Sequence, residues 1–263
     1  MPFIIFLLHL ALAFAVGGLW VTVITIIAEK RGSVLGGILG GLPSTSAFSF
    51  FFIAISQSSS VAVEATTVFP LAFGITTAFL FLFAYFAKKR FEKGILISMF
   101  VWFAVSSLIV AFGLKDFAVS LASGVLISVL IYYCFRKVLK LENLTGQAKL
   151  YRTRDVVLRG FGAGGLVLLS VLLSQIGGPI LGGIAAAFPA VFTSTLIILN
   201  KTRGTDFSRA MTKPLALSGI LTIIPFSVAV RFLFPSFGVW LGTLISYVLV
   251  LPLAFLSYYL AQK

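Results

Sequence analysis

The segment GGILGGLPSTS, residues 36–46, places Pro43 near the middle of a long apolar stretch of the chain. A second segment, GGIAAAFPAVFTS at residues 182–194, places Pro189 at the matching point of another apolar stretch. A proline inside a helix removes one backbone hydrogen bond and clashes with the preceding turn, and glycines tolerate the dihedral angles of an unwound turn. The two segments therefore predict two interrupted membrane helices, an arrangement typical of carriers that bind their cargo at the bilayer midplane.

The composition is that of an integral membrane protein. Of the 263 residues, 60% are hydrophobic and 10% are charged, and the mean hydropathy is +1.13. A helix needs about 20 apolar residues to cross a bilayer. We therefore expect an all-α polytopic fold in a single membrane domain. The predicted spans are residues 3–27, 33–56, 61–87, 94–113, 117–135, 156–176, 178–200, 214–235 and 238–260.

The positive charges alternate along the chain. The net charge is +13, and all lysines and arginines except Lys115 and Arg231 follow the first, third, fifth, seventh or ninth span. Cytoplasmic loops of membrane proteins carry an excess of lysine and arginine, so the pattern predicts an outer N-terminus and a cytoplasmic C-terminus in the plasma or inner membrane. The charge thus reflects topology next to membrane lipids, and we expect no nucleic-acid partner.

The two halves of the chain resemble each other. AVGGLWVTVITII at residues 15–27 matches GAGGLVLLSVLLS at 162–174, and the proline segments come next in both halves. Further pairs follow in the same order: Ala65–Ala210, Thr67–Thr212, Gly74–Gly219, Ile75–Ile220, Thr77–Thr222, Phe81–Phe226 and Gly94–Gly238. Spans 1–4 thus match spans 6–9, and a shift of five spans reverses each helix relative to its partner. This predicts an inverted repeat of residues 1–114 and 156–263, with a linker helix in 115–155.

A helix that restarts after a proline has unpaired amide groups with partial positive charge, which attract anions. Hydroxyl side chains follow both prolines. Arg231 is the one basic residue in the outer half of a span, and a charge at that position is a candidate for attracting an anion. The candidate substrate-binding residues are Gly40, Gly41, Pro43, Ser44, Thr45, Ser46, Pro189, Thr193, Ser194 and Arg231.

The sequence lacks the residues that several kinds of carrier, metal site and enzyme require. No aspartate or glutamate lies in the middle of a predicted span, which disfavours a proton antiporter or a divalent-cation carrier that uses buried carboxylates. The single cysteine, Cys134, excludes an internal disulfide and a multi-cysteine metal site. We therefore expect no enzyme activity, no catalytic residues, no metal and no cofactor.

The leading hypothesis is a secondary transporter that moves a small polar or anionic solute by alternating access. One alternative is a non-transporting structural or accessory membrane protein, because small residues four apart, such as Gly36 and Gly40, also let helices pack closely. A passive channel or a lipid scramblase is a further alternative. A homodimer is compatible with the sequence.

The C-terminal half has a G-G-x-x-x-x-x-P segment in helix 2, two prolines in helix 3 (here Pro214 and Pro225) and an aromatic start to helix 4 at 237–240. In these features it resembles the GlpM-like family of small four-helix inner-membrane proteins. The first half fits more loosely, with Pro70 but no second proline. The resemblance implies a four-plus-four architecture and transfers no substrate. Drug/metabolite-type transporters, with five helices per half, are similar in outline.

Overall fold

The computed structural model describes residues 3–30, 42–139, 141 and 153–261, and these contain helices and no strand. The helices are α1 (Phe3–Lys30), α2 (Ser44–Ser56), α3 (Ser59–Ala65), α4 (Phe69–Phe86), α5 (Phe91–Phe112), α6 (Phe117–Cys134), α7 (Thr153–Gly177), α8 (Pro179–Ala186), α9 (Ala190–Arg203), α10 (Thr205–Ala210) and α11 (Thr212–Ala261). A π-helical turn, Phe135–Leu139, continues α6. Seven stretches of the described chain are long and apolar enough to cross a membrane. The predicted all-α polytopic membrane protein is confirmed.

The last of these stretches, Thr205–Leu260, contains 56 residues. At 1.5 Å per residue it is far longer than a bilayer core of about 30 Å, so it must cross twice. The chain reverses at Gly238, whose φ of 72° and ψ of 174° are not helical and divide α11 into arms at residues 212–237 and 239–261. Helix α2 covers the second half of the predicted span 33–56, whose first residues lie outside the described ranges. Each of the other predicted spans also has a helical counterpart in the described residues.

Close packing between consecutive helices occurs at a similar place in both halves. Gly94 lies in the first turn of α5, where a Cβ would lie 2.7 Å from Ala87. Gly242 lies shortly after the turn at Gly238, where a Cβ would lie 2.9 Å from Phe234 in the preceding arm. The pairing of Gly94 with Gly238 in the repeat stays a prediction.

Helices α1 and α7 pack closely through glycines on both helices. A Cβ on Gly164 would overlap the carbonyl oxygen of Phe14, and a Cβ on Gly18 would lie 2.9 Å from the carbonyl oxygen of Gly160. Further along α1, Thr22 contacts Gly160. Contacts therefore move backwards along α7 as they advance along α1, and the two helices are antiparallel.

Helix α4 and the 212–237 arm are a second antiparallel pair. Before the arm begins, Arg209 contacts Ala84 near the end of α4. In the middle, Gly219 faces the ring of Phe73. At the other end, Arg231 reaches Val63, ahead of α4. The α4 core is largely aromatic, and Phe69, Phe79 and Phe83 are fully buried.

The outer faces of several helices are apolar. Phe100 on α5 is 74% exposed and Phe161 on α7 is 66% exposed. Exposed leucines and isoleucines continue these surfaces on α1 and α6. Such surfaces are expected where a helix contacts lipid, because hydrocarbon solvates an apolar side chain as well as a protein core does.

Candidate substrate cavity

The two proline segments line one cavity. Its volume is about 40 Å³. The lining residues are Leu42, Pro43, Ser44, Thr45, Ser46, Phe73, Thr76, Ala186, Ala187, Phe188, Pro189, Val191, Phe192 and Ile223. A buried water needs roughly 10–15 Å³ by this measure, so the cavity has room for about three waters.

The helix is interrupted at Pro189. Helix α8 ends at Ala186 and α9 begins at Ala190, with Ala187, Phe188 and Pro189 between them. The last turn of α8 tightens, because the Phe188 amide donates to the carbonyl of Ala185 at 3.0 Å. The interruption expected from the second proline segment is therefore present, with helix ends on both sides of it.

Pro43 starts α2 in the same way as Pro189 starts α9. The amide of the residue after each proline donates to the carbonyl of the residue before it, Leu42 at 2.7 Å and Phe188 at 2.9 Å. Each proline carbonyl then accepts the first intrahelical bond, from Ala47 at 3.0 Å and from Thr193 at 2.8 Å. Of the predicted site, Gly40 and Gly41 lie outside the described residues.

Four backbone amides that follow the prolines have no backbone acceptor in the described part of the chain. They are the amides of Thr45 and Ser46 in α2 and of Val191 and Phe192 in α9. These are the second and third positions of their helices, where unpaired amides and the helix dipole give partial positive charge. All four residues line the cavity, and none of the lining side chains that the structure describes is charged.

Hydroxyl groups reach the cavity from the first half of the chain. Ser46 is only 3% exposed and lines the cavity, and its hydroxyl has no hydrogen-bond partner in the described part of the chain. Ser44 and Thr45 line it too. The predicted hydroxyls of the second half do not, since Thr193 donates to the Pro189 carbonyl at 2.7 Å and Ser194 to the Val191 carbonyl at 2.9 Å.

Thr76 is a cavity residue that the sequence reasoning missed. The indole Nε1 of Trp102 donates to Thr76 Oγ1 at 2.9 Å, and Thr76 Oγ1 donates to the carbonyl of Ala187 at 2.7 Å. This chain of bonds satisfies a carbonyl in the unwound turn. Repeat matching selected the neighbour Thr77 instead, whose hydroxyl donates to the carbonyl of Phe73 in its own helix. A buried indole that needs an acceptor was the available signal.

Arg231 is not part of the cavity, contrary to the expectation that it attracts an anion there. Its Nη1 lies 3.1 Å from the Val63 carbonyl, 3.3 Å from Thr66 Oγ1 and 3.1 Å from Thr67 Oγ1. Its guanidinium lies 4.3 Å from the ring centre of Phe117. These contacts place the guanidinium at the end of α3, and Arg231 is not among the residues that line the cavity.

Arg209 makes the corresponding contact at the far end of α4. Its Nε donates to the carbonyl of Ala84 at 2.7 Å, and its Nη1 pairs with Asp206 at 3.1 Å. Both arginines therefore belong to the second half of the chain and bind a carbonyl in the last turn of a helix of the first half. Positive side chains are favoured at such helix ends.

Comparison with known proteins identifies the repeated unit. A family model described as "Protein of unknown function (DUF3147)" matches residues 10–117 and again residues 156–261. The unit is therefore present twice, as expected for a duplicated small membrane protein. No curated protein and no solved structure matches the chain. Within the described residues no group of three or more potential metal ligands occurs.

Proposed function

We propose, from the premise that the chain belongs to the DUF3147 family and carries its unit twice, that the protein is a secondary transporter. It moves a small polar or anionic solute across the membrane by alternating access. The observation that carries this proposal is the cavity lined by both proline segments. Transporters of this kind bind their substrates between two repeats, against unwound parts of membrane helices.

The contacts between the halves support an inverted repeat. Gly17 and Gly164 are equivalent in the two units, and a Cβ on Gly17 would lie 3.7 Å from Gly164 Cα. The equivalent helices α1 and α7 are antiparallel, as are α4 and the 212–237 arm. Pro43 and Pro189 are also equivalent and line one cavity. Equivalent parts of the two units thus meet in three places: at the α1–α7 contact, between α4 and the 212–237 arm, and at the cavity. These meetings support a pseudo-twofold axis through the cavity. They also agree with the four-helix unit of the GlpM-like resemblance.

The two arginine contacts agree with the predicted topology. Arg209 and Ala84 both adjoin loops rich in lysine and arginine, which the positive-inside rule assigns to the cytoplasm. Arg231 joins Val63 and Phe117, which adjoin the outer loops of the same prediction. We therefore propose an outer N-terminus and a cytoplasmic C-terminus in the plasma or inner membrane.

Each arginine contact also joins the two repeats near one side of the membrane. In the proposed cycle the Arg209 contact breaks when the cavity opens to the cytoplasm, and the Arg231 contact breaks when it opens outward. Each contact consists of a few hydrogen bonds, each contributing about 0.5–3 kcal/mol net. Energies of this size stabilise closed states without trapping the protein in either of them.

Counterflow in proteoliposomes tests the proposal. Vesicles loaded with unlabelled formate, acetate or glycine receive the same labelled solute outside, and a carrier accumulates label transiently and saturably. A triple variant, Ser44→Ala, Thr45→Ala and Ser46→Ala, removes the cavity hydroxyls that α2 supplies, and we expect it to lose most of the counterflow. The matched control is Thr193→Ala with Ser194→Ala, because those hydroxyls bond to their own helix.

Other outcomes identify the alternatives. Absence of flux for every solute in a folded protein argues for a structural or accessory role. Flux that does not saturate and shows no counterflow argues for a channel, and exchange of labelled lipids between leaflets argues for a scramblase. Equal counterflow in the triple variant and its control would contradict the proposal that the solute binds in the cavity.

A further inference from the structure

We infer that the cavity binds one small monovalent anion, held by backbone amides and the hydroxyl of Ser46 without a charged side chain. This inference rests on the proposed function, because it names the substrate class of the same cavity. It can nevertheless be tested by binding alone.

The electrostatics of the cavity favour a single negative charge. The N-terminus of a helix is equivalent to about half a positive elementary charge, and two such ends, α2 and α9, adjoin the cavity. Together they complement about one negative charge. Among the described residues, the lining has no carboxylate that could stabilise a cation, and no lysine or arginine that could balance a second negative charge.

The hydroxyl of Ser46 is a second and independent indication of a ligand. Buried hydroxyl groups in proteins are nearly always hydrogen-bonded, because an unpaired one loses its bond to water without replacement. Ser46 is 3% exposed and lines the cavity, and its hydroxyl makes no hydrogen bond to any described residue, so it is left for whatever fills the cavity. A ligand with acceptor atoms would accept hydrogen bonds from this hydroxyl and from the amides of Thr45, Val191 and Phe192.

The size and walls of the cavity limit the anion. With room for about three waters, the cavity accommodates a halide, nitrate or formate. Phe73, Phe192 and Ile223 form apolar walls, with the rings of Phe73 and Phe192 6.3 Å apart. Apolar walls penalise strongly hydrated ions, so sulfate is excluded by both its charge and its hydration.

Binding is measured on the full-length protein in detergent, by thermal unfolding in potassium gluconate that is replaced stepwise by other salts. We expect bromide, nitrate and formate to raise the unfolding temperature saturably, because a ligand of the folded state stabilises it. Potassium sulfate and rubidium gluconate should give no saturable rise. A crystal grown in bromide should show anomalous scattering beside the amides of Thr45 and Ser46.

Variants separate the site from general salt effects. Ser46→Ala should weaken bromide binding about tenfold, the loss expected for one good hydrogen bond to a charged ligand. Thr193→Ala, whose hydroxyl bonds to its own helix, should bind bromide normally. Ser46→Asp should abolish the bromide response, because its own carboxylate then occupies the positive site.

Three results would overturn the inference: no saturable response to any of the monovalent anions, a response to rubidium instead, or bromide located only outside the cavity. Failure of the proposed function gives a different pattern. Bromide binding without counterflow would refute transport and leave the anion site intact. Counterflow of glycine without anion binding would support transport and refute the anion site.

Discussion

Replacing Gly164 with alanine should force α1 and α7 apart. The new Cβ would overlap the carbonyl oxygen of Phe14 and lie 3.2 Å from the amide nitrogen of Gly18. Both neighbours are backbone atoms of α1, so neither can rotate away as a side chain could. Gly165, the next residue, is the matched control, because a Cβ there would meet nothing within 4 Å.

The magnitude follows from the difference between the two variants. Alanine is favoured over glycine inside a helix by about 0.5–1 kcal/mol, and this gain is common to both positions. Overpacking a close interface costs about 1–3 kcal/mol, and this cost applies at Gly164 alone. We therefore expect Gly165→Ala to be as stable as the parent or slightly more stable. Gly164→Ala should be less stable than Gly165→Ala by about 1–3 kcal/mol.

The assay is the free energy of unfolding in mixed micelles, titrated with a denaturing detergent and followed by tryptophan fluorescence. Because the two variants have the same composition, effects of the micelle and of the unfolded state cancel between them. Equal free energies of unfolding would refute the reasoning. They would mean that the backbones of α1 and α7 do not approach each other at Gly164.

Three further predictions concern the unwound turn before Pro189, the arginine contact at the end of α3 and the turn at Gly238. Thr76→Val leaves the buried indole of Trp102 without an acceptor, so the free energy of unfolding should fall by about 1–3 kcal/mol, while Thr76→Ser should retain most of it. Arg231→Met removes the hydrogen bonds at the end of α3, and we expect proteolysis from the outside of vesicles to become faster, with Arg231→Lys intermediate. Unchanged cleavage in both variants would contradict the proposed outer contact. Gly238→Ala puts a side chain at φ 72° and ψ 174°, a conformation nearly restricted to glycine, and thermal unfolding should show a loss of about 1–3 kcal/mol.

The parts of the fold that depend on backbone rules were predictable from the sequence. Length and hydropathy located the helices, and a proline preceded by small residues located the interruption at Pro189. Both features follow from what the main chain can do in lipid, where every unpaired polar group is costly. They hold whatever the neighbouring helices are, which is why no knowledge of tertiary structure was needed.

The partners of individual side chains were not predictable in the same way. Arg231 was expected in a binding site because it is charged and lies within a span, but its Nη1 bonds to the end of α3 instead. Thr193 was expected there because it follows a proline, but its hydroxyl bonds one turn back to the Pro189 carbonyl. In each case a nearby carbonyl competes with the ligand, and only the fold reveals which carbonyls are near.

The cavity is symmetric in its backbone and asymmetric in its side chains. Pro43 and Pro189 make the same hydrogen bonds, and in each half the same two amides have no backbone acceptor among the described residues. The residues that follow are Ser44, Thr45 and Ser46 in one half but Ala190, Val191 and Phe192 in the other. The two halves therefore share main-chain donors at the cavity, which the proposed anion would use. The hydroxyl groups that follow the prolines line it on one side only, where they would make the proposed site asymmetric.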